Sequence, residues 1–189
     1  MEWHVVLALS FILVALAELG DKSQVMTISL ASKYHYRPVF WGIFIGMGVV
    51  TVIGVAIGSV LYTIFPMFYI KIFAGLVFIA FGVISLYKEE KYRHEEIHHR
   101  KIFQRSFFLS FIAELGDKTQ LAVIALTARY MQPAAVLSGS LIGLALVIAA
   151  GVFLGNRIAR FVEREKIELI AALAFIILGI IFIIEPFLL

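Results

Sequence analysis

Four acidic residues stand within otherwise apolar stretches: Glu18 and Asp21 in one ELGDK string, Glu114 and Asp117 in a second. At membrane depth a carboxylate costs about 2.5–3.5 kcal/mol at a helix centre, so four cost about ten. Helix packing alone does not call for such burial twice. On a helix, Glu and Asp at i and i+3 share a face, and the Lys at i+4 from the Glu lies beside them. Glu18, Asp21 and Lys22 therefore gather at one spot, and Glu114, Asp117 and Lys118 at another. Four carboxylates and two ammoniums sum to about −2, the complement of a divalent cation. Oxygen-only ligands favour hard ions such as Ca²⁺ or Mn²⁺ over Zn²⁺ or Cu⁺. Lys22 and Lys118 would hold such a site electrically quiet between cations.

The neighbouring residues extend this chemistry. Gly20 and Gly116 fall between the acids, and a straight helix from Trp3 to Ala31 would exceed about 40 Å, so a break or strong tilt is expected there. A break would free backbone carbonyls as further ligands. On an ideal helix Ser23 and Thr119 point away from the acids and would bond the preceding turn. Gln24 and Gln120, one turn beyond the aspartates, read as amide-oxygen ligands or orienters. The bland alternative makes Glu18–Lys22 and Glu114–Lys118 buried i,i+4 ion pairs that lock helix packing. It leaves both aspartates unexplained, and ionisable residues inside a membrane are functional by default.

The elements that must position these groups follow from composition. The 189 residues are 62% hydrophobic and 15% charged, with a mean hydropathy of +1.00. A soluble globular domain has about 45–50% apolar and about 25% charged residues, so that class is excluded. No cysteine means no disulfide and no thiolate metal site. Six segments are long and apolar enough to span a bilayer: Trp3 to Ala31, Phe40 to Leu61, Met67 to Tyr87, Phe107 to Leu126, Ala134 to Leu154 and Ile167 to Ile184.

Ser10 to Gln24 aligns with Ser106 to Gln120 at ten of fifteen positions. After a one-residue shift Gly42 pairs with Gly139, Gly46 with Gly143, Gly54 with Gly151, Gly58 with Gly155 and Gly82 with Gly179. The chain thus reads as a tandem duplication: a first three-helix repeat over 1–87, a charged cytoplasmic linker over 88–105 and a second three-helix repeat over 106–189. An odd number of spans per repeat makes the copies enter the membrane from opposite sides. The fold class expected is an all-α membrane protein of six transmembrane helices arranged as two inverted three-helix repeats. The GxxxG spacings on the second and fifth spans suit close packing within the monomer or across a homodimer.

Twelve of the sixteen Lys and Arg residues lie after the first, third and fifth spans: Lys33, Arg37, Lys88, Lys91, Arg93, Arg100, Lys101, Arg105, Arg157, Arg160, Arg164 and Lys166. The opposite face holds only Lys71 and Arg129, so those three loops are cytoplasmic and both termini extracytoplasmic. Ala15–Leu16–Ala17 imitates a signal-peptide cleavage site, but the leading residues hold Glu2 and no Lys or Arg. With no evident organelle address, a multi-pass protein of the plasma (inner) membrane is expected. The net charge of +3 resides in these flanks and implies no nucleic-acid partner. Lys71 and Glu185, near span ends, read as snorkelling side chains.

ELGDKS and ELGDKT fit the E-x-G-D-[KR]-[TS] signature, and the chain resembles the calcium/manganese–proton exchanger family that includes Golgi transporters and bacterial MneA-type manganese exporters. Two intact copies about ninety-six residues apart extend the resemblance over the whole sequence. It implies cation/proton antiport, with Glu18, Gly20, Asp21, Lys22, Ser23 and Glu114, Gly116, Asp117, Lys118, Thr119 as motif positions. Energetics point the same way: moving a divalent cation out of a cytoplasm at about −100 mV costs about 4.6 kcal/mol, so export needs coupling. Carboxylates bind metal only when ionised, so entering protons can release it. The expected activity is export of Mn²⁺, Ca²⁺ or both against protons, with the cation at the midplane on Glu18, Asp21, Glu114 and Asp117. These ions are substrates, and no permanent cofactor is expected.

Two rival classes use the same residues differently. An uncoupled channel or uniporter would carry cation without proton movement. An enzyme is disfavoured, since no HExxH motif or Gly-rich phosphate loop is present. His94, His98 and His99 in the linker include an i,i+4 pair that could gather metal, although such charged runs are usually solvated connectors.

Overall fold

The computed structural model describes residues 1–87, 101–161 and 164–188, with side chains except at 22, 81, 85, 87, 154–161, 164–168 and 188. His94, His98 and His99 lie outside the described residues, as does most of the linker. So do the side chains of Lys22, Arg157, Arg160, Arg164 and Lys166. The described residues form helices and no strand: α1 (Trp3–Glu18), α2 (Lys22–Lys33), α3 (Tyr36–Ile64), α4 (Met67–Tyr87), α5 (Ile102–Glu114), α6 (Lys118–Tyr130), α7 (Pro133–Phe161) and α8 (Arg164–Leu188). The order of two short helices, one long and one intermediate occurs twice, and α3 and α7 are each 29 residues.

The first and fourth expected spans are each two helices. Gly20 has φ 83° and Gly116 φ 77°, a left-handed conformation that glycine enters without a Cβ penalty. Leu19 and Asp21 flank Gly20 in extended conformation, as Leu115 and Asp117 flank Gly116. The helix cannot run through, and the axis turns by 69° between α1 and Ser23–Lys33. Among the described residues four helices are individually long and apolar enough to cross a membrane: Tyr36–Ile64, Met67–Ile84, Pro133–Phe153 and Leu169–Phe187. The bent pair α1 and α2 passes the same test only when the two are taken together, and counts as a fifth if it is one broken span. The fourth expected span corresponds to α5 and α6, each 13 residues or about 20 Å, too short to span singly.

Glycines decide which helices meet. A Cβ on Gly42 would lie 2.6 Å from the Phe103 carbonyl oxygen, one on Gly46 2.6 Å from that of Phe107, and one on Gly58 2.6 Å from that of Ile124. The first half's α3 therefore lies flush along α5 and α6 of the second half, in parallel, because contact numbers rise together. The mirror arrangement holds for α7. Gly139 meets Leu7, Gly143 meets Phe11 and Gly151 meets Thr27, again in parallel. Between α4 and α8, Gly75 meets Gly179 while Gly82 meets Ala172, so that pair is antiparallel. Lipid supplies no hydrophobic drive between helices, so close backbone approach at small residues carries the association. Phe78 anchors the α4–α8 pair, its ring 5.4 Å from Phe175 and 5.5 Å from Phe182. On the outside Trp41, Ile45, Val52, Phe73, Ile177 and Ile181 are exposed, so these helices are apolar outward as well as inward, as helices in lipid are.

Candidate cation site at the two helix breaks

The breaks change where each motif residue points. Glu18 ends α1 and Asp21 precedes α2, so they occupy facing ends of two helices rather than one continuous face. Glu114 and Asp117 are split in the same way by Gly116. The i,i+3 geometry expected from an unbroken helix is thereby replaced. Helix carboxyl ends carry partial negative charge and attract cations. A Glu at each such end adds to that negative potential.

The glycine N–H groups show how each break is held. In a continuous helix Gly20 N–H would bond the Leu16 carbonyl; instead it donates to the Gln24 amide oxygen at 2.6 Å. Gly116 N–H donates to the Gln120 amide oxygen at 2.7 Å. Both glutamines are thus orienters of the break through that oxygen. Asp is a favoured N-cap residue, yet neither Asp21 nor Asp117 makes a side-chain capping bond. Asp21 Oδ1 instead accepts an ion pair from Lys118 Nζ at 3.0 Å, so the lysine of the second motif crosses to the aspartate of the first.

Glu18, Asp21 and Glu114 are buried, with one carboxylate oxygen from each within 4.8 Å of the others. Among the described residues this is the group of acids close enough to share a metal ion; Asp117 stands outside it. Glu18 also collects two hydroxyls. Ser23 Oγ donates to its Oε2 at 2.6 Å, and Thr119 Oγ1 donates to its Oε1 at 2.5 Å from the other half of the chain. An ideal unbroken helix would point both hydroxyls at the preceding turn. With the helix broken, they turn inward. Thr27 and Thr51 do bond the preceding turn, at Ser23 O and Met47 O.

Two features escaped the sequence. A small cavity opens beside Glu18, lined also by Ser23, Gln24, Thr27, Met47 and Leu144. The signal for Met47 was faint, namely a departure from its repeat equivalent. The second is a cluster at the far end of the helices, where Glu185 of α8 pairs with Arg129 of α6 and, at 3.2 Å, with Lys71 of α4. Arg129 also stacks over the rings of Tyr130 and Phe182. Lys71 and Glu185 therefore pair rather than snorkel separately. A larger groove between α3, α4 and α6 is walled by Phe65, Phe73, Leu121 and Ile124 and has no carboxylate in its lining.

A family model described as "Divalent cation/proton antiporter GDT1" matches two stretches of the chain, residues 6–93 and 102–188. The "GDT1-like protein sll0615" of Synechocystis is 27% identical over 90% of this chain and 92% of its own. A Vibrio cholerae protein named "Putative manganese exporter" is 30% identical over 93% of this chain and 88% of its own. "Protein PAM71, chloroplastic" of Arabidopsis thaliana is 24% identical over 94% of this chain and 56% of its own. No solved structure matches.

Proposed function

This chain belongs to the divalent cation/proton antiporter GDT1 family, and from that premise we propose that it exports Mn²⁺, Ca²⁺ or both from the cytoplasm in exchange for protons, on the carboxylates of the two ELGDK motifs. The family is one of transporters, not enzymes. The observation that carries the site assignment is the burial of Glu18, Asp21 and Glu114 with oxygens within 4.8 Å of one another. With Lys118 beside Asp21, these groups sum to −2 when ionised, matching one divalent cation. Asp117 joins as the fourth acid by its place in the second motif. The ions and protons are substrates, and the proposal invokes no resident cofactor.

The mechanism follows from competition. A cation needs the carboxylates ionised, whereas protons neutralise them and weaken its hold. Proton arrival from one side therefore discharges the cation, and a cation from the other side discharges protons. Lys118 offsets charge on Asp21 while no cation is bound. Thr119 of the second motif donates to Glu18 beside Ser23 of the first, so a change at that carboxylate is felt in both halves.

The proposed architecture is six spans in two inverted repeats over 1–87 and 106–189, joined by the 88–105 linker. Supporting it are the parallel packing of α3 on α5–α6 and of α7 on α1–α2, and the two family-matched stretches, one to each repeat. We place the protein in the plasma membrane with both termini outside, on the strength of the basic loops. The test is flux into proteoliposomes holding a pH-sensitive dye, with Mn²⁺ and then Ca²⁺ added outside and Glu18→Gln plus Glu114→Gln as control. Cation-driven proton movement that vanishes in the control is the expected result. Cation entry without proton movement would overturn antiport in favour of a channel, and unaltered exchange in the control would overturn the site.

A further inference from the structure

The oxygen donors at the breaks do not by their type separate the divalent cations of a cell. Carboxylates, hydroxyls and amide oxygens accept Mg²⁺, Ca²⁺ and Mn²⁺ alike. A residue carrying a different donor lines the cavity beside Glu18: Met47, on α3, buried and bordering the same space as Ser23, Gln24 and Thr27. From α7, Leu144 lines the same cavity. The register that pairs Gly42 with Gly139 and Gly46 with Gly143 also pairs Met47 with Leu144. Repeat-equivalent positions thus meet over one cavity, and one carries sulfur where the other carries only hydrocarbon. Leu and Met exchange in cores at little cost, so filling the volume does not call for methionine. What methionine adds is a soft, polarisable donor, which transition-metal cations accept and alkaline-earth cations do not.

We propose that Met47 is the specificity-determining residue of this site, its sulfur facing the cation beside Glu18 and biasing transport toward transition-metal divalent ions, Mn²⁺ among them, over Ca²⁺ and Mg²⁺. This rests on the cation-exchange reading above and sharpens it to one class of substrate. The bias is relative, since the carboxylates still supply the charge that holds any divalent ion.

The experiment compares proton movement driven by Cd²⁺, Mn²⁺ and Ca²⁺ in proteoliposomes of the native chain, Met47→Leu and Leu144→Met. Cd²⁺ serves as the softest probe. Met47→Leu is expected to lower kcat/KM most for Cd²⁺, less for Mn²⁺ and least for Ca²⁺, shrinking the Cd²⁺-to-Ca²⁺ ratio on the order of tenfold. Leu144→Met, which adds a second sulfur to the same cavity, should raise that ratio. Equal losses for all three cations, or unchanged ratios, would overturn the proposal. X-ray absorption at the Cd edge of the loaded native protein supplies a readout independent of flux and of variant folding. The chain has no cysteine, so a sulfur neighbour of the bound ion can only be methionine. A shell of oxygen alone would defeat the role of Met47. Absence of proton coupling in the native protein would defeat the antiport reading and leave the sulfur shell to decide this one.

Discussion

Replacing Gly116 by Ala isolates the backbone contribution to the site. The position an added Cβ would take has no heavy atom within 4 Å, so no neighbour is displaced. The cost is conformational: φ is +77°, and an L-residue held in the left-handed region loses roughly 1–2 kcal/mol. Alanine recovers about 0.4–1 kcal/mol by restricting the unfolded chain, which leaves a net destabilisation of about 1 kcal/mol. Gly48 is the control. It lies inside α3, its added Cβ would meet Leu141 at an ordinary 3.5 Å, and its φ is not positive. There Gly→Ala should stabilise by up to about 1 kcal/mol, because alanine is the better helix former. The same chemical change should therefore shift thermal unfolding in detergent in opposite directions at the two sites, about 2 kcal/mol apart. Alanine at 116 also favours joining α5 to α6, which would carry Glu114 away from Glu18 and Asp21, so flux should fall with stability. Gly116→Asn, which tolerates the left-handed region, should lose less of both. Unfolding shifts of the same sign at 116 and 48, or equal losses for Ala and Asn at 116, would refute the claim that the positive φ shapes the site.

Three further outcomes follow from other contacts. Thr119→Val keeps the shape but removes the hydroxyl donated to Glu18, and a hydrogen bond to a charged group is worth roughly 1.5–3 kcal/mol, so KM for the cation should rise on the order of tenfold, with Thr119→Ser restoring it. Equal KM values for the Val and Ser variants would sink that role. Gly139→Ala would set a Cβ 2.2 Å from the Leu7 carbonyl oxygen, forcing α1 and α7 apart at a cost of about 1–3 kcal/mol in thermal stability, and an unshifted midpoint would refute the close packing. Glu185→Gln leaves Lys71 and Arg129 facing each other without their counter-charge; because Glu185 is partly exposed, the expected loss is only about 1 kcal/mol and should shrink in molar salt. A loss insensitive to salt would mean that packing, not charge, joins α4, α6 and α8 there.

Much of this architecture is legible in one dimension because the duplication writes it twice. The recurrence of ELGDK marks Glu18, Asp21, Glu114 and Asp117, and the paired glycines mark helix faces that must approach closely. Gly20 and Gly116 signal the breaks, since a span beginning at Trp3 and ending at Ala31 is too long for one straight helix. The directions of Ser23 and Thr119 depart from those on an ideal helix for a single reason: three non-helical residues precede each helix start and rotate the hydroxyls inward.

Local pattern therefore determined the apolar helices, the internal repeat of the sequence and which acids stand in apolar surroundings, because hydropathy, periodicity and glycine all act within a few turns of chain. Tertiary structure alone decided the partners. Thr119 reaches Glu18 across 101 positions, Lys118 crosses to Asp21, Met47 and Leu144 line one cavity, and Glu185 gathers cations from two other helices. Such pairings depend on which helix faces interlock and at what depth, and that is set by close backbone contacts between distant glycines and carbonyls rather than by the residues flanking either partner.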